Sequence, residues 1–157
     1  MRPLLLLDLD GVLNPFAAPT CPEGHREHVF FEGEGPERYC PAHGGWIREL
    51  AAAGELWWAT GWGENANQRY LPLLGVEPLP VVRFPPVPFP PEQKVPAIDA
   101  VAGDRPAAWI DDDHTAAGRR WAAGRAAPTL LVPIDPALGW VRADVDRVLD
   151  WARDPKR

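Results

Sequence analysis

Asp8 and Asp10 follow directly on the apolar run Leu4-Leu5-Leu6-Leu7, and a second acidic group, Asp111-Asp112-Asp113, follows Trp109-Ile110. Between them stand Thr60, at the end of Leu56-Trp57-Trp58-Ala59, and Lys94, at the head of an apolar-periodic segment. Carboxylates brought close together repel one another unless a hard cation sits among them, and an all-oxygen donor set suits Mg²⁺. Beside such a cation an aspartate can attack phosphorus, splitting one difficult displacement into two easier ones through an aspartyl-phosphate. A second carboxylate two residues along an extended turn can protonate the leaving oxygen and then activate water. A blander reading covers each residue singly: Asp111–Asp113 ahead of a helix would serve as caps, and Lys94 alone would be a solvated lysine. It does not account for Asp8, Asp10 and Lys94 together.

These residues act together only if the chain brings four separated segments to one place, and its patterning predicts that it does. Short apolar runs alternate with helix-period segments, the mark of a parallel α/β fold. Strands are predicted over 3–7, 56–59, 79–84, 107–110 and 129–132, giving a three-layer, doubly wound sheet of five parallel strands. Helices are predicted over 46–53, 64–74, 94–102, 115–123 and 141–151, with Gly54, Gly75 and Gly103 as stops. Open parallel sheets bind ligands beyond the carboxyl ends of their strands. Asp8, Asp10, Thr60 and Asp111 would sit there, and Lys94 would open the next helix. Two segments break the alternation. Residues 14–42 are turn-rich and β-like around His28–Phe31, and read as a protruding hairpin flap. Five prolines between Pro85 and Pro91 read as a stiff, extended connector rather than a ligand for a partner domain.

At 157 residues the chain has room for one core and little more, so residues 1–157 read as a single domain with the flap inserted at about 14–42. A net charge of −6 argues against non-specific nucleic-acid binding, while leaving room for a local basic pocket. Two cysteines are too few for a disulfide framework, which makes a reducing cytosol the expected compartment. Arg2 and the leucines after it imitate a signal peptide, but Asp8 ends the apolar run too soon. No stretch approaches transmembrane length, so no membrane partner is expected.

Taken in order, the chemistry-bearing segments resemble the haloacid dehalogenase (HAD) superfamily. Asp8-Leu9-Asp10-Gly11-Val12-Leu13 after an apolar strand is similar to its motif I, Thr60 to motif II, Lys94 to motif III, and Trp109-Ile110-Asp111-Asp112 to motif IV. The likeness runs from about Pro3 to Val132. It implies that Asp8 is nucleophile and metal ligand, and that Asp10 is general acid/base with its backbone carbonyl facing the metal. Thr60 and the Gly61 N–H would bind phosphate, and Lys94 would neutralise phosphate and nucleophile. Asp112 would complete the Mg²⁺ shell while Asp111 orients Lys94 or a metal-bound water, with Asp113 leaving the register of the three acids open. Within that superfamily an Asp at the position of Asp10 goes with phosphomonoester hydrolysis rather than dehalogenation. The expected function is therefore that of a Mg²⁺-dependent phosphomonoesterase. The alternative is a catalytically silent module of the same fold that binds a phosphorylated ligand; such a relative would be expected to have lost Asp8 or Asp10.

Trp58-Ala59-Thr60-Gly61-Trp62, with Leu13-Asn14-Pro15 and Pro41-Ala42-His43-Gly44, resembles a smaller HAD branch associated with RNA-repair proteins. That likeness implies nucleotides or nucleic-acid ends as the phosphate carrier, with a base stacked on Trp62. Many HAD enzymes carry a cap domain in one of two gaps, which here hold only the flap and the proline connector. The site is expected to stay open to bulky phosphates, although subunit association can replace a cap.

Cys21-x3-His25 and Cys40-x2-His43 bracket the flap, and a tetrahedral zinc site is one reading of them. The irregular spacing, and the fit of Pro41-Ala42-His43-Gly44 to a helix entry, favour no stoichiometric zinc. His114 reads as a loop or cap residue. Arg69, Arg83 and Arg119-Arg120 read as solvated faces, with leaving-group contact as the alternative.

Overall fold

In the computed structural model, which describes residues 1–156, the fold grows from four leucines. Strand β1 (Leu4–Leu7) is fully buried, and its pleat sends Leu5 and Leu7 to one face of the sheet and Leu4 and Leu6 to the other. From β1 the chain forms the antiparallel hairpin β2 (Arg26–His28) and β3 (Glu37–Tyr39), then α1 (His43–Ala53) and β4 (Glu55–Trp58). It continues through α2 (Lys94–Ala102), β5 (Ala107–Asp111), α3 (Thr115–Gly124), β6 (Thr129–Pro133) and α4 (Arg142–Arg153).

The main sheet is parallel, in the order β4-β1-β5-β6. Ile47 and Leu50 of α1 and Val145 and Val148 of α4 pack with Leu5 and Leu7, while Ile98 and Ala102 of α2 and Trp121 of α3 pack with Leu4 and Leu6. Both faces are thus covered, as a parallel sheet requires. The chain passes from β1 to β4 on one side and returns past it to β5 on the other. That reversal opens a crevice between the carboxyl ends of β1 and β5, where Asp8 and Asp111 lie.

Four strands form this sheet, not the five expected. Residues 79–84 pair with its backbone only through a bridge between Trp58 and Val81, in which Trp58 N–H donates to Pro80 O (2.8 Å) and Val82 N–H to Trp58 O (2.9 Å). Pro80 has no N–H to extend a ladder, and the Leu79 N–H is donated to Asn67 Oδ1 instead (2.9 Å). The helix expected over 64–74 is a π-helical turn, Ala66–Tyr70, running into a 3₁₀ turn, Leu71–Leu74. Pro72 accounts for this, because its ring clashes with an α-helical carbonyl four residues back and supplies no hydrogen bond. Helix α1 begins three residues earlier than the periodicity predicts, on the turn in which His43 N–H donates to Cys40 O (3.0 Å).

The flap strands pair Arg26 with Tyr39 and His28 with Glu37, so the hairpin lies slightly before the expected β-like stretch around His28–Phe31. Phe30 instead turns inward, stacked on Tyr70 at 5.1 Å and edge-on to Trp62 at 5.4 Å. The Arg38 guanidinium donates to Pro15 O (3.0 Å) and Ala18 O (2.8 Å), and Tyr70 OH donates to Arg38 O (2.8 Å). The insertion is a docked part of the body. Among the described residues, no helix is long and apolar enough to cross a membrane.

Candidate active site

The first catalytic candidates sit on a turn pinned to the neighbouring strands. Asp8 N–H donates to Ile110 O (3.0 Å), and Ala59 N–H donates to Leu7 O (2.8 Å). The ends of β4, β1 and β5 are therefore level, as the register Leu7↔Trp58 and Leu7↔Ile110 requires. Just beyond, three N–H groups, those of Val12, Leu13 and Asn14, fold back onto Leu9 O and tighten the turn. Gly11 is obligatory here. Its φ of 80° suits glycine, and a Cβ on it would fall 2.3 Å from Asp112 Oδ2. The missing side chain makes room for an acid from another strand end.

Lys94, buried at the start of α2, joins the acids. Its Nζ donates to Asp111 Oδ2 (2.8 Å) and to Ala59 O (3.0 Å), and lies 3.4 Å from Asp8 Oδ1. Asp111 Oδ2 also accepts from Trp109 Nε1 (3.0 Å), and its Oδ1 accepts from the Asp113 N–H (3.0 Å). Asp8 Oδ1 accepts from the Leu9 N–H (2.8 Å). Asp8, Asp111 and Asp112 each offer an oxygen, and these lie within 4.8 Å of one another. Asp113 is exposed and accepts from the Thr115 N–H (3.2 Å) ahead of α3, the capping part of the bland reading.

One ammonium is set against three carboxylates, and the acids respond. Burial, then the neighbouring Asp111, raises the Asp8 carboxyl well above the ordinary range, against the pull of Lys94. Asp111 goes the other way: burial opposes ionisation, but the Lys94 charge and hydrogen bond outweigh it and hold it low. Asp112 is pushed up to about 6, by burial first and then by the hydrogen-bonded Asp111. Burial would lower Lys94, yet Asp8 and Asp111 more than offset it and keep the ammonium charged.

The carboxylate of Asp10 points elsewhere. Its Oδ1 accepts from Asn14 Nδ2 (3.0 Å) and its Oδ2 from Trp62 Nε1 (2.9 Å). The Asp10 carboxylate thus lies outside the cluster of Asp8, Asp111 and Asp112, where the contact expected of Asp10 was its backbone carbonyl. Thr60 is buried, and its Oγ1 accepts from the Trp62 N–H (3.2 Å), so the loop Thr60-Gly61-Trp62 closes on itself beside Asp8. Trp62 is half-buried against Phe30, Phe31 and Tyr70, its indole nitrogen is engaged by Asp10, and the ring also borders a hollow beside Asp10.

The proline connector borders the site more closely than its sequence suggests. Phe89 and Pro91 help line a crevice of about 210 Å³ that contains Asp8, Lys94 and Asp111–Asp113. Val87 faces a second hollow of about 340 Å³, bounded by Asp10, Phe31, Gly61 and Trp62. A Cβ on Gly61 would fall 3.2 Å from Val87 Cγ1. Both the connector and the flap therefore frame the opening, which is less bare than the missing cap implies.

Cys21, His25, Cys40 and His43 do not converge in the same way. Among the described residues, the acidic triad is the set that brings three such ligand atoms within 4.8 Å. His25 and His43 do approach, with ring centroids 5.6 Å apart, and His25 Nε2 and His43 Nδ1 are buried without a hydrogen-bond partner. His114 is buried and donates Nε2–H to Trp109 O (2.9 Å), steadying the strand that carries Asp111. Arg69 is tied to the flap through Phe30 O (2.8 Å), and Arg83 lines a separate groove that reaches Thr60. The sequence reading missed Asn14 and Glu37 as partners of the site. Asn14 stood in a quoted motif without a role, and Glu37 is one of several acids in a polar insertion, with nothing local to single it out. No protein-family model matches the chain, and no curated protein matches it.

Proposed function

We propose that this chain is a Mg²⁺-dependent phosphomonoesterase of the HAD type that forms an aspartyl-phosphate on Asp8. The observation that carries the reading is the meeting of Asp8, Asp111 and Asp112 within 4.8 Å around the buried Lys94, at the crevice between two strand ends. Caps or surface acids have no need of such an arrangement, and the cost of packing three carboxylates around one lysine points to a ligand that relieves it.

The donor set is all carboxylate oxygen, which fits a hard divalent cation rather than zinc or copper. Asp8, Asp112 and Asp111 would hold it, and when bound it would neutralise the clustered carboxylates and the incoming phosphate. The remaining work falls to the chain. Lys94 fixes Asp111 and lies within reach of Asp8, so it screens the attacking oxygen from its acidic neighbours. An Asp8 oxygen bonds to phosphorus as the ester P–O bond breaks, and the leaving oxygen takes a proton from Asp10. Asp10 then accepts a proton from water, whose oxygen attacks phosphorus and releases inorganic phosphate from Asp8. The Thr60 hydroxyl and the Gly61 N–H, on the loop after β4, would serve as neutral donors to the phosphate oxygens.

For the phosphate carrier we favour nucleotides or nucleic-acid ends. The hollow beside Asp10, walled by Phe31, Trp62 and Val87, offers apolar surface to a planar leaving group. The test is hydrolysis of an aryl phosphate by the purified chain. Turnover should need Mg²⁺, stop on chelation, and vanish in Asp8→Asn with the fold intact. Equal turnover by Asp8→Asn and the parent would remove the mechanism.

A further inference from the structure

Asp10 is held on both carboxylate oxygens, which a solvated turn aspartate does not require. Asn14 Nδ2 donates to Oδ1 at 3.0 Å and Trp62 Nε1 to Oδ2 at 2.9 Å. Neither donor is free to swing. Asn14 is 1% exposed, and its Nδ2 also donates to Glu37 Oε2 at 2.6 Å. Its Oδ1 accepts the Arg38 N–H at 3.2 Å. That pattern permits one orientation of the amide: the oxygen must face the Arg38 N–H and the NH₂ must face the two acids. The Trp62 ring is fixed by Phe30, Phe31 and Tyr70, with centroids at 5.4, 5.1 and 5.7 Å. Two unrelated segments therefore bear on one carboxylate, the loop after β4 directly through Trp62 and strand β3 of the flap through Asn14.

We infer that Asn14, Trp62 and Glu37 are positioning residues for Asp10, and that the flap hairpin is in this way a working part of the catalytic scaffold. The inference rests on the reading of Asp10 as the proton donor. Each carboxylate oxygen has a second lone-pair direction, so the two donors orient the group and still leave a site from which a proton can pass to the leaving oxygen. General acid catalysis contributes roughly 10²–10⁴-fold. A misplacement of about 1 Å can remove on the order of 100-fold. The loss has a signature. A nitrophenolate departs readily without a proton, whereas an alkoxide does not, so disturbing Asp10 penalises alkyl phosphates far more than p-nitrophenyl phosphate.

The experiment compares kcat/KM, which reports transfer to Asp8 and not the later hydrolysis of the shared intermediate, on p-nitrophenyl phosphate and on a primary alkyl phosphate, with Mg²⁺ at fixed pH and salt. The variants are Asp10→Asn, Trp62→Phe, Glu37→Ala and Glu37→Gln. Trp62→Phe keeps a ring and removes the N–H. Glu37→Gln retains an oxygen that can accept from Asn14, and Glu37→Ala does not. The ratio of the two kcat/KM values should widen most in Asp10→Asn, by about 10-fold or more in Trp62→Phe and Glu37→Ala, and far less in Glu37→Gln. If Trp62→Phe does not fold, the two Glu37 variants carry the comparison. A widened ratio in Asp10→Asn with parent-like ratios in Trp62→Phe and Glu37→Ala would overturn the positioning role and leave the phosphatase reading intact. A parent that hydrolyses neither ester, or an Asp10→Asn ratio equal to the parent's, would remove the reading of Asp10 and the positioning role with it.

Discussion

A single methyl group tests how tightly the acids are packed. On Gly11 it would lie 2.3 Å from Asp112 Oδ2, on a backbone whose φ of 80° already disfavours a side chain. Gly11→Ala should therefore cost on the order of 1–2 kcal/mol in stability. It should also shift the Asp112 carboxylate, so that Mg²⁺ raises the melting temperature of the parent and hardly that of the variant. Differential scanning fluorimetry with and without Mg²⁺ reads both effects; an equal Mg²⁺ shift in the two proteins would show that Asp112 takes no part in holding the cation. At this scale the sequence was most informative where chemistry and strand ends coincide. Asp8, Lys94 and Asp111 were legible because each lies at an element boundary, where the topology must bring the pieces together. Glu37 was not, because its role depends on how a polar insertion folds back onto Asn14, and no periodicity encodes that. Trp62 was legible by its place beside Thr60, but the hydrogen bond of its indole N–H to Asp10 was not.

At the level of elements, apolar periodicity located each strand and helix of the main body to within a few residues, and failed where proline intervened. Pro72 turned an expected helix into π and 3₁₀ turns, and Pro80 reduced an expected strand to one bridge. Both failures are backbone effects, invisible to a pattern of apolar side chains. The start of α1 carries a different consequence. His43 is 3% exposed, and burial, with a smaller contribution from His25, lowers its pKa to about 3. The rings of Trp46 and Trp140 close around it. In the fold the imidazole stays neutral where the unfolded chain, with a value near 6.5, takes up a proton. The unfolded state thus binds more protons below that value, and stability falls as pH is lowered from about 6.5 toward 3, by up to about 1.4 kcal/mol per pH unit. Urea unfolding at about pH 7.5 and about pH 5.5 should show a smaller loss for His43→Phe than for the parent. Equal losses would mean that His43 is not a buried neutral base. The same turn bears on zinc. Because the cysteines do not join the two histidines in a close set, elemental analysis after gentle purification should find no stoichiometric zinc. One zinc per chain, lost in Cys40→Ser, would reverse that expectation.

For the molecule as a whole, the sheet supplies a rigid edge and the insertions supply the surroundings of the acidic site. Flap and proline connector leave a framed opening rather than a sealed chamber, so remote contacts with a large substrate can help to orient its phosphate. We expect kcat/KM to rise from a nucleoside monophosphate to an oligonucleotide with a terminal phosphate, measured as one series at fixed salt because charge alone changes such affinities. Equal or better turnover of small sugar phosphates would point to a metabolite phosphatase instead. The central claim, however, is covalent: the phosphoryl group passes through Asp8. Asp10→Asn lacks the base that activates water and should therefore retain the intermediate after one turnover. Acid quenching of that variant with excess aryl phosphate and Mg²⁺, followed by peptide mass spectrometry, measures this directly. The account predicts the added mass of one phosphoryl group on the peptide carrying Asp8, absent when Mg²⁺ is chelated and absent in Asp8→Asn. Phosphate release by the parent with no adduct in Asp10→Asn, and continued release by Asp8→Asn, would contradict it.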